Sequence, residues 1–181
     1  MIFPLFRRAP RGPYTISTLY GMIVAQARFP GFYSDYAVAD TVNGRFELIV
    51  LHLALVLERL AQEPPLQRLG QGVFDRFCQD MDHNLREMGV GDVKVPKEMR
   101  RMGEAFYGRA QAYREALAAA DNAPLVLALE RNIYGGTAAA APRLAAYMRE
   151  AVRELAAQDA AGLAGGAVRL PDPDEIPAQK A

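Results

Sequence analysis

The chain has 181 residues, of which 51% are hydrophobic and 23% charged, a composition that excludes wholesale disorder and a length that fits one well-filled core. Lysine plus arginine equals aspartate plus glutamate, 21 each, so no global field draws the chain to nucleic acid or to an anionic surface. The lone Cys78 excludes a disulfide within the chain and points to a reducing compartment, the cytoplasm.

Residues 1–12 read as a short arm, apolar at Ile2, Phe3, Leu5 and Phe6 and then basic at Arg7, Arg8 and Arg11. Its apolar part is too short for a signal-peptide core. Pro13 opens a first helix that runs from Tyr14 to about Ala27 and stops at Phe29-Pro30-Gly31. The first 36 residues hold eight of the chain's 16 phenylalanines and tyrosines, which read as core groups. Asp40 or Thr41 caps a second helix that ends near Gln62, before Pro64-Pro65. Its apolar stretch, 48–57, is about half the ~20 residues of a membrane span, so the spacing predicts a buried central helix.

From Leu66 to Met88 a third helix places Phe74, Phe77, Cys78, Met81, Leu85 and Met88 on one stripe, and Gly89 closes it. Asp82 and Arg86 stand four apart on the opposite side and can pair. Pro96 starts a fourth helix with Met99, Met102, Phe106, Ala110, Tyr113 and Leu117 facing inward, and Lys97, Arg100, Arg101 and Arg109 outward. Gly103 and Gly108 inside it each cost about 1 kcal/mol against alanine, which predicts close approach of another backbone. Pro124 opens a short apolar helix that ends at Gly135-Gly136, and Pro142 opens a last one, with Leu144, Met148, Val152 and Leu155 inward, up to about Asp159.

Glycines at 162, 165 and 166 and the proline- and acid-rich run 171–177 then mark a flexible C-terminal tail, 160–181. The predicted fold is therefore all-α: a single-domain bundle of about six to seven helices over residues 13–159, between the arm and the tail.

Groups that carry chemistry are sparse. His52, inside the apolar helix, reads as a satisfied packing histidine. Asp80 and His83 have the carboxylate-x-x-histidine spacing of helical di-metal proteins, but no second such pair exists, and a solvated helix face is the better reading. Gly89-Val90-Gly91-Asp92 lacks the lysine and hydroxyl of a phosphate loop and reads as a turn. No catalytic residue, metal ligand or cofactor is expected, and the chain reads as a binding protein rather than an enzyme. A helical protein that binds a lipid, a quinone or a metal is the alternative.

The run Asp40-Thr41-Val42-Asn43-Gly44-Arg45-Phe46-Glu47, then Leu51-His52, Asp80-Met81-Asp82 and Leu85-Arg86, resembles the ubiquinol-cytochrome c chaperone family. Gly89 to Asp92, Val95-Pro96-Lys97, Met99, Phe106-Tyr107-Gly108-Arg109 and Tyr113 continue the resemblance, and Arg131-Asn132 near Tyr134 adds to it. It spans residues 13–150 and implies a bacterial assembly chaperone of the cytochrome bc1 complex, respiratory complex III. The implied partner is newly made cytochrome b or an assembly intermediate of that complex, with peripheral contact at the cytoplasmic face of the inner membrane as a secondary expectation.

The resemblance assigns no contact residues, so the expected surface comes from physics. Asp82, Arg86, Asp92, Lys97, Arg100 and Arg109 flank one interhelical turn, and Tyr107 offers an aromatic contact on the same side. The same charges would also serve simply to cap and pair across the two helices. Asp40 and Arg45 form a second expected element, a clasp at the entrance of the central helix.

Overall fold

The computed structural model describes residues 12–177, and apart from Gly12 the predicted arm lies outside the described residues. Among the described residues there is no strand. Six helices of seven residues or more carry the bundle: α1 (Pro13–Ala27), α3 (Val42–Ala61), α4 (Gln67–Glu87), α5 (Val95–Ala118), α6 (Ala123–Leu129) and α7 (Ala141–Ala157). Two single-turn helices, α2 (Gly31–Ser34) and α8 (Ala160–Ala164), complete it.

Helix α3 is the centre. Leu48, Val50, Leu51 and Leu53 are all fully buried, although positions spaced in this way point around the whole helix. A helix that is apolar all round must be enclosed, and α1, α4, α5 and α7 enclose this one. Its start is fixed by Thr41, whose hydroxyl accepts from the Gly44 amide at 3.1 Å. Glycine is required at 44, because a Cβ there would stand 1.9 Å from the Ala39 carbonyl oxygen. The Pro64–Leu66 turn then redirects the chain into α4.

The early aromatics among the described residues divide, with Tyr14 exposed. Phe32 and Tyr36 fill the core, with the Phe32 ring 4.9 Å from that of Tyr147 and 5.3 Å from that of His52. His52 is fully buried: Nδ1 lies 2.7 Å from the Leu48 carbonyl and Nε2 lies 2.8 Å from the Tyr147 hydroxyl. Burial pushes its pKa down to about 4.

Helix α6 runs on into one wide turn, Glu130–Tyr134, and stops at Gly135 in the left-handed region, φ 69°. Helix α7 crosses back over α3 and α6.

The sequence reads as a flexible tail after residue 159, whereas the described part of it, to residue 177, lies on the bundle. The Asp159 carboxylate caps α8 by accepting from the Gly162 amide at 2.7 Å. Leu163 is fully buried and Val168 is 2% exposed. Its apolar groups arrive singly, and side chains hold its backbone, so hydrophobic periodicity carries no trace of the packing.

Candidate partner-contact surface

The turn between α4 and α5 is built by its own backbone. Gly89, at φ 81°, lets the Val90 amide reach back to the Leu85 carbonyl at 3.0 Å, while the Gly89 amide bonds the Arg86 carbonyl at 3.0 Å. A second reversal, closed by the Lys94 amide on the Gly91 carbonyl at 2.7 Å, leads into α5. This geometry leaves Met88 and Val93 on the surface, Val93 at 94% exposure.

Arg86 clamps the turn. Its Nε donates to Asp82 at 2.6 Å and its Nη1 to Asp92. The Arg86 hydrogen bond holds the Asp82 carboxyl below the usual carboxylate range, and the same two partners push the guanidinium up. Lys97 is exposed on the first turn of α5 and makes no ion pair among the described residues. Arg100 pairs with Glu104 at 3.0 Å along the helix, both exposed, an arrangement that contributes only tenths of a kcal/mol.

Tyr107 is 63% exposed, with its ring 5.7 Å from Phe74 and 5.5 Å from Phe106. It forms one wall of a shallow cleft of about 190 Å³ floored by Leu57, Gly70 and Phe74. An aromatic ring thus stands at the edge of an apolar depression, with the Arg86 clamp at the other end of α4, twelve residues along the helix from Phe74.

Arg109 departs from the expected set. It does not lie on the exposed basic side of α5 but folds inward onto Glu47, Nε to Oε2 at 2.5 Å and Nη2 to Oε1 at 2.6 Å, with Nη1 on the Ala105 carbonyl at 3.2 Å. The Glu47 side chain is 2% exposed and that of Arg109 22%. Burial pushes the Glu47 carboxyl up and the guanidinium opposes it.

The physical reason is Glu47's position one residue before the buried run. A carboxylate there costs several kcal/mol unless a cation follows it inside. Nearby, burial raises the pKa of the Tyr113 hydroxyl, and the adjacent Asn132 side chain opposes that shift. Sequence reasoning missed this Glu47, Arg109, Tyr113 and Asn132 cluster. An acid in phase with Leu51 and Leu55 on the central helix was the available signal.

Asp40 and Arg45 pair at 2.6 Å where α3 begins, both more than half exposed, and the Arg45 hydrogen bond lowers the Asp40 pKa. Asp80 accepts from the Tyr20 hydroxyl at 2.8 Å, and His83 lies 3.1 Å from Glu87. Among the described residues no group of three histidine, cysteine or carboxylate side chains is placed to hold a metal ion. No described helix is long and apolar enough to cross a membrane.

A sequence model of the ubiquinol-cytochrome C chaperone family matches residues 34–170. The chain belongs to this family. A similar solved structure is that of the Cbp3 homolog from Brucella abortus, 39% identical, with a TM-score of 0.83 over 91% of this chain and 92% of that one. Ubiquinol-cytochrome-c reductase complex assembly factor 1 of Xenopus laevis is 27% identical over 116 residues, 64% of this chain and 58% of that protein. Its mouse counterpart is 27% identical over 117 residues, 64% of this chain and 39% of that protein. This chain thus spans 58% and 39% of the length of those two relatives, less than two thirds of either. The family match runs from the end of α2 into the tail, and so includes the Arg86 clamp, Tyr107 and the Glu47–Arg109 pair.

Proposed function

We propose that this chain is an assembly factor of the ubiquinol-cytochrome c reductase (cytochrome bc1) complex, and that it holds newly made cytochrome b, or an early intermediate containing it, rather than catalysing a reaction. The family match over residues 34–170 carries the reading, supported by relatives whose names give assembly of this complex. A protein that shields apolar segments for a limited time needs a modest apolar surface rimmed by charge, so that release is not prohibitively slow. The Tyr107 cleft, lined by Leu57, Gly70, Phe74 and Phe106, supplies the apolar part, and Lys97, Arg100 and the Asp82, Arg86 and Asp92 clamp stand further along α4 and α5 towards their turn; we assign the client contact to this α4–α5 surface. Arg109 acts there indirectly, by fixing α5 against α3. The site of action in this reading is the cytoplasmic face of the inner membrane.

Deletion of the gene, with transcript levels measured in parallel, is the test. Cytochrome b and assembled complex III should fall while the transcripts do not, and normal complex III overturns the reading. A photo-crosslinker at Tyr107 should capture cytochrome b, whereas one at Leu127, exposed on α6, should not. Equal capture at both positions removes the assigned surface while leaving the function standing.

A further inference from the structure

The segment after α8 is recognised in a way that the helix packing is not. Three helical regions each send one side chain to a main-chain carbonyl of this segment. Gln26 of α1 donates to Pro171 at 2.8 Å, Tyr36, just past α2, to Pro173 at 2.7 Å, and Arg143 of α7 to Ile176 at 3.2 Å. Gln158 takes both main-chain groups of Arg169, its Nε2 donating to the carbonyl and its Oε1 accepting from the amide, each at 2.8 Å.

Gly31 completes the seat, since a Cβ there would stand 2.3 Å from Asp174 Oδ1. Pro171 and Pro173 are buried, yet an open cleft of about 540 Å³ runs beside the segment between Gln26, Glu154, Ala157 and Leu170. The groove is therefore wider than its present occupant.

Carbonyl oxygens belong to every peptide, so donors aimed at them read an extended backbone and not a particular sequence. Prolines at 171 and 173 suit such a seat, because they fix φ, Pro173 opening the single turn Pro173–Glu175, and remove two amide donors that would otherwise need acceptors. We propose that the groove of α1, α2 and α7 is a binding site for a proline-containing segment of a partner protein that lies extended and ends in one tight turn, and that residues 168–176, extended to Asp172 and turning at Pro173–Glu175, occupy it in cis as an exchangeable strap. The proposal goes beyond the assembly-factor reading and does not depend on it.

The test uses the full chain and a fluorescein-labelled peptide with the sequence of residues 166–177, followed by anisotropy. Val168→Asp weakens the strap in cis without touching the groove's donors, and Gln26→Ala with Tyr36→Phe removes two of those donors. A groove closed by its own strap binds in trans with an affinity reduced by the fraction of time it is open. Val168→Asp is therefore expected to tighten peptide binding by at least about tenfold, and adding Gln26→Ala and Tyr36→Phe to return it to the level of the unaltered chain. Amide exchange over 168–176 should rise on addition of unlabelled peptide. If Val168→Asp lowers the helical circular dichroism, Pro171→Gly with Pro173→Gly replaces it in the same comparison. A folded, strap-weakened protein that binds the peptide no better, or binds it regardless of Gln26 and Tyr36, overturns the proposal.

Discussion

Glu47 and Arg109 form a two-pronged pair in which one partner is almost dry and the other keeps about a fifth of its surface in water. Removing one member of a buried pair costs about 3–5 kcal/mol, and the partial exposure of Arg109 places Glu47→Ala near the bottom of that range. The double variant Glu47→Met with Arg109→Leu should recover most of the loss, since no unpaired charge remains. Urea unfolding of both variants checks this, and a double variant as unstable as the single one refutes the pairing argument.

His52 supplies a pH dependence. Its pKa is about 4 in the fold against 6.5 in the unfolded chain, so between those values the unfolded state takes up a proton that the folded state refuses. Stability is thus complete above pH 6.5 and declines as pH falls towards 4, by about 2 kcal/mol between pH 7 and pH 5. His52→Gln should flatten that slope, and an unchanged slope in its urea midpoints assigns the effect to other groups. The burial of His52 was legible from the apolar run around it. Its partner Tyr147 was not, because 95 residues separate them and no local pattern links the two.

At the scale of elements, breakers and caps were the informative residues. Pro13, Pro96, Pro124 and Pro142 each fall in the first turn of the helix they were expected to open, and Gly89 and Gly135 end theirs with positive φ. The apolar stripes were legible, with two exceptions of different kinds. Met88, the last member of its stripe, lies past the end of α4 and is 59% exposed. Val152 is 38% exposed, because it lines an open cleft between α3, α5 and α7.

Gly103 and Gly108 were expected to admit a neighbouring backbone, but no atom of the described chain comes within 4 Å of a Cβ placed at either. Their cost in helix propensity is therefore uncompensated within the bundle. Gly103→Ala and Gly108→Ala should each stabilise by up to about 1 kcal/mol, raising the melting temperature by a few degrees together. A lower melting temperature would mean that a contact outside the described residues needs the glycines. Thr41→Ala tests the cap at the other end of the design: loss of its bond to the Gly44 amide should cost about 1 kcal/mol in urea unfolding. No loss would show that the Asp40–Arg45 pair is enough to start α3.

Across the whole molecule, the all-helical class followed from the 3.6-residue period, whereas the fit of the last segment to the bundle had no periodic signal. One side chain joins the two halves of this architecture. Arg59, on the last turn of α3, has its side chain 10% exposed and pairs with Glu63 at 3.3 Å. Its Nε donates to the Leu155 carbonyl at 3.0 Å and its Nη2 to the Gln158 carbonyl at 2.9 Å. A cation that satisfies two carbonyls at a helix C-terminus suits both the unpaired groups and the dipole there. It also fixes the residue from which Gln158 reaches out to Arg169. Arg59→Met keeps most of the apolar stem and loses every one of these bonds, at an expected cost of about 2 kcal/mol. The loss should concentrate at the end of α7, because the α3 core beneath is untouched. Limited proteolysis should then cut first near Gln158 and Asp159, while fragments from α3 to α5 persist. Cleavage spread evenly over the chain would show instead that Arg59 supports the bundle as a unit.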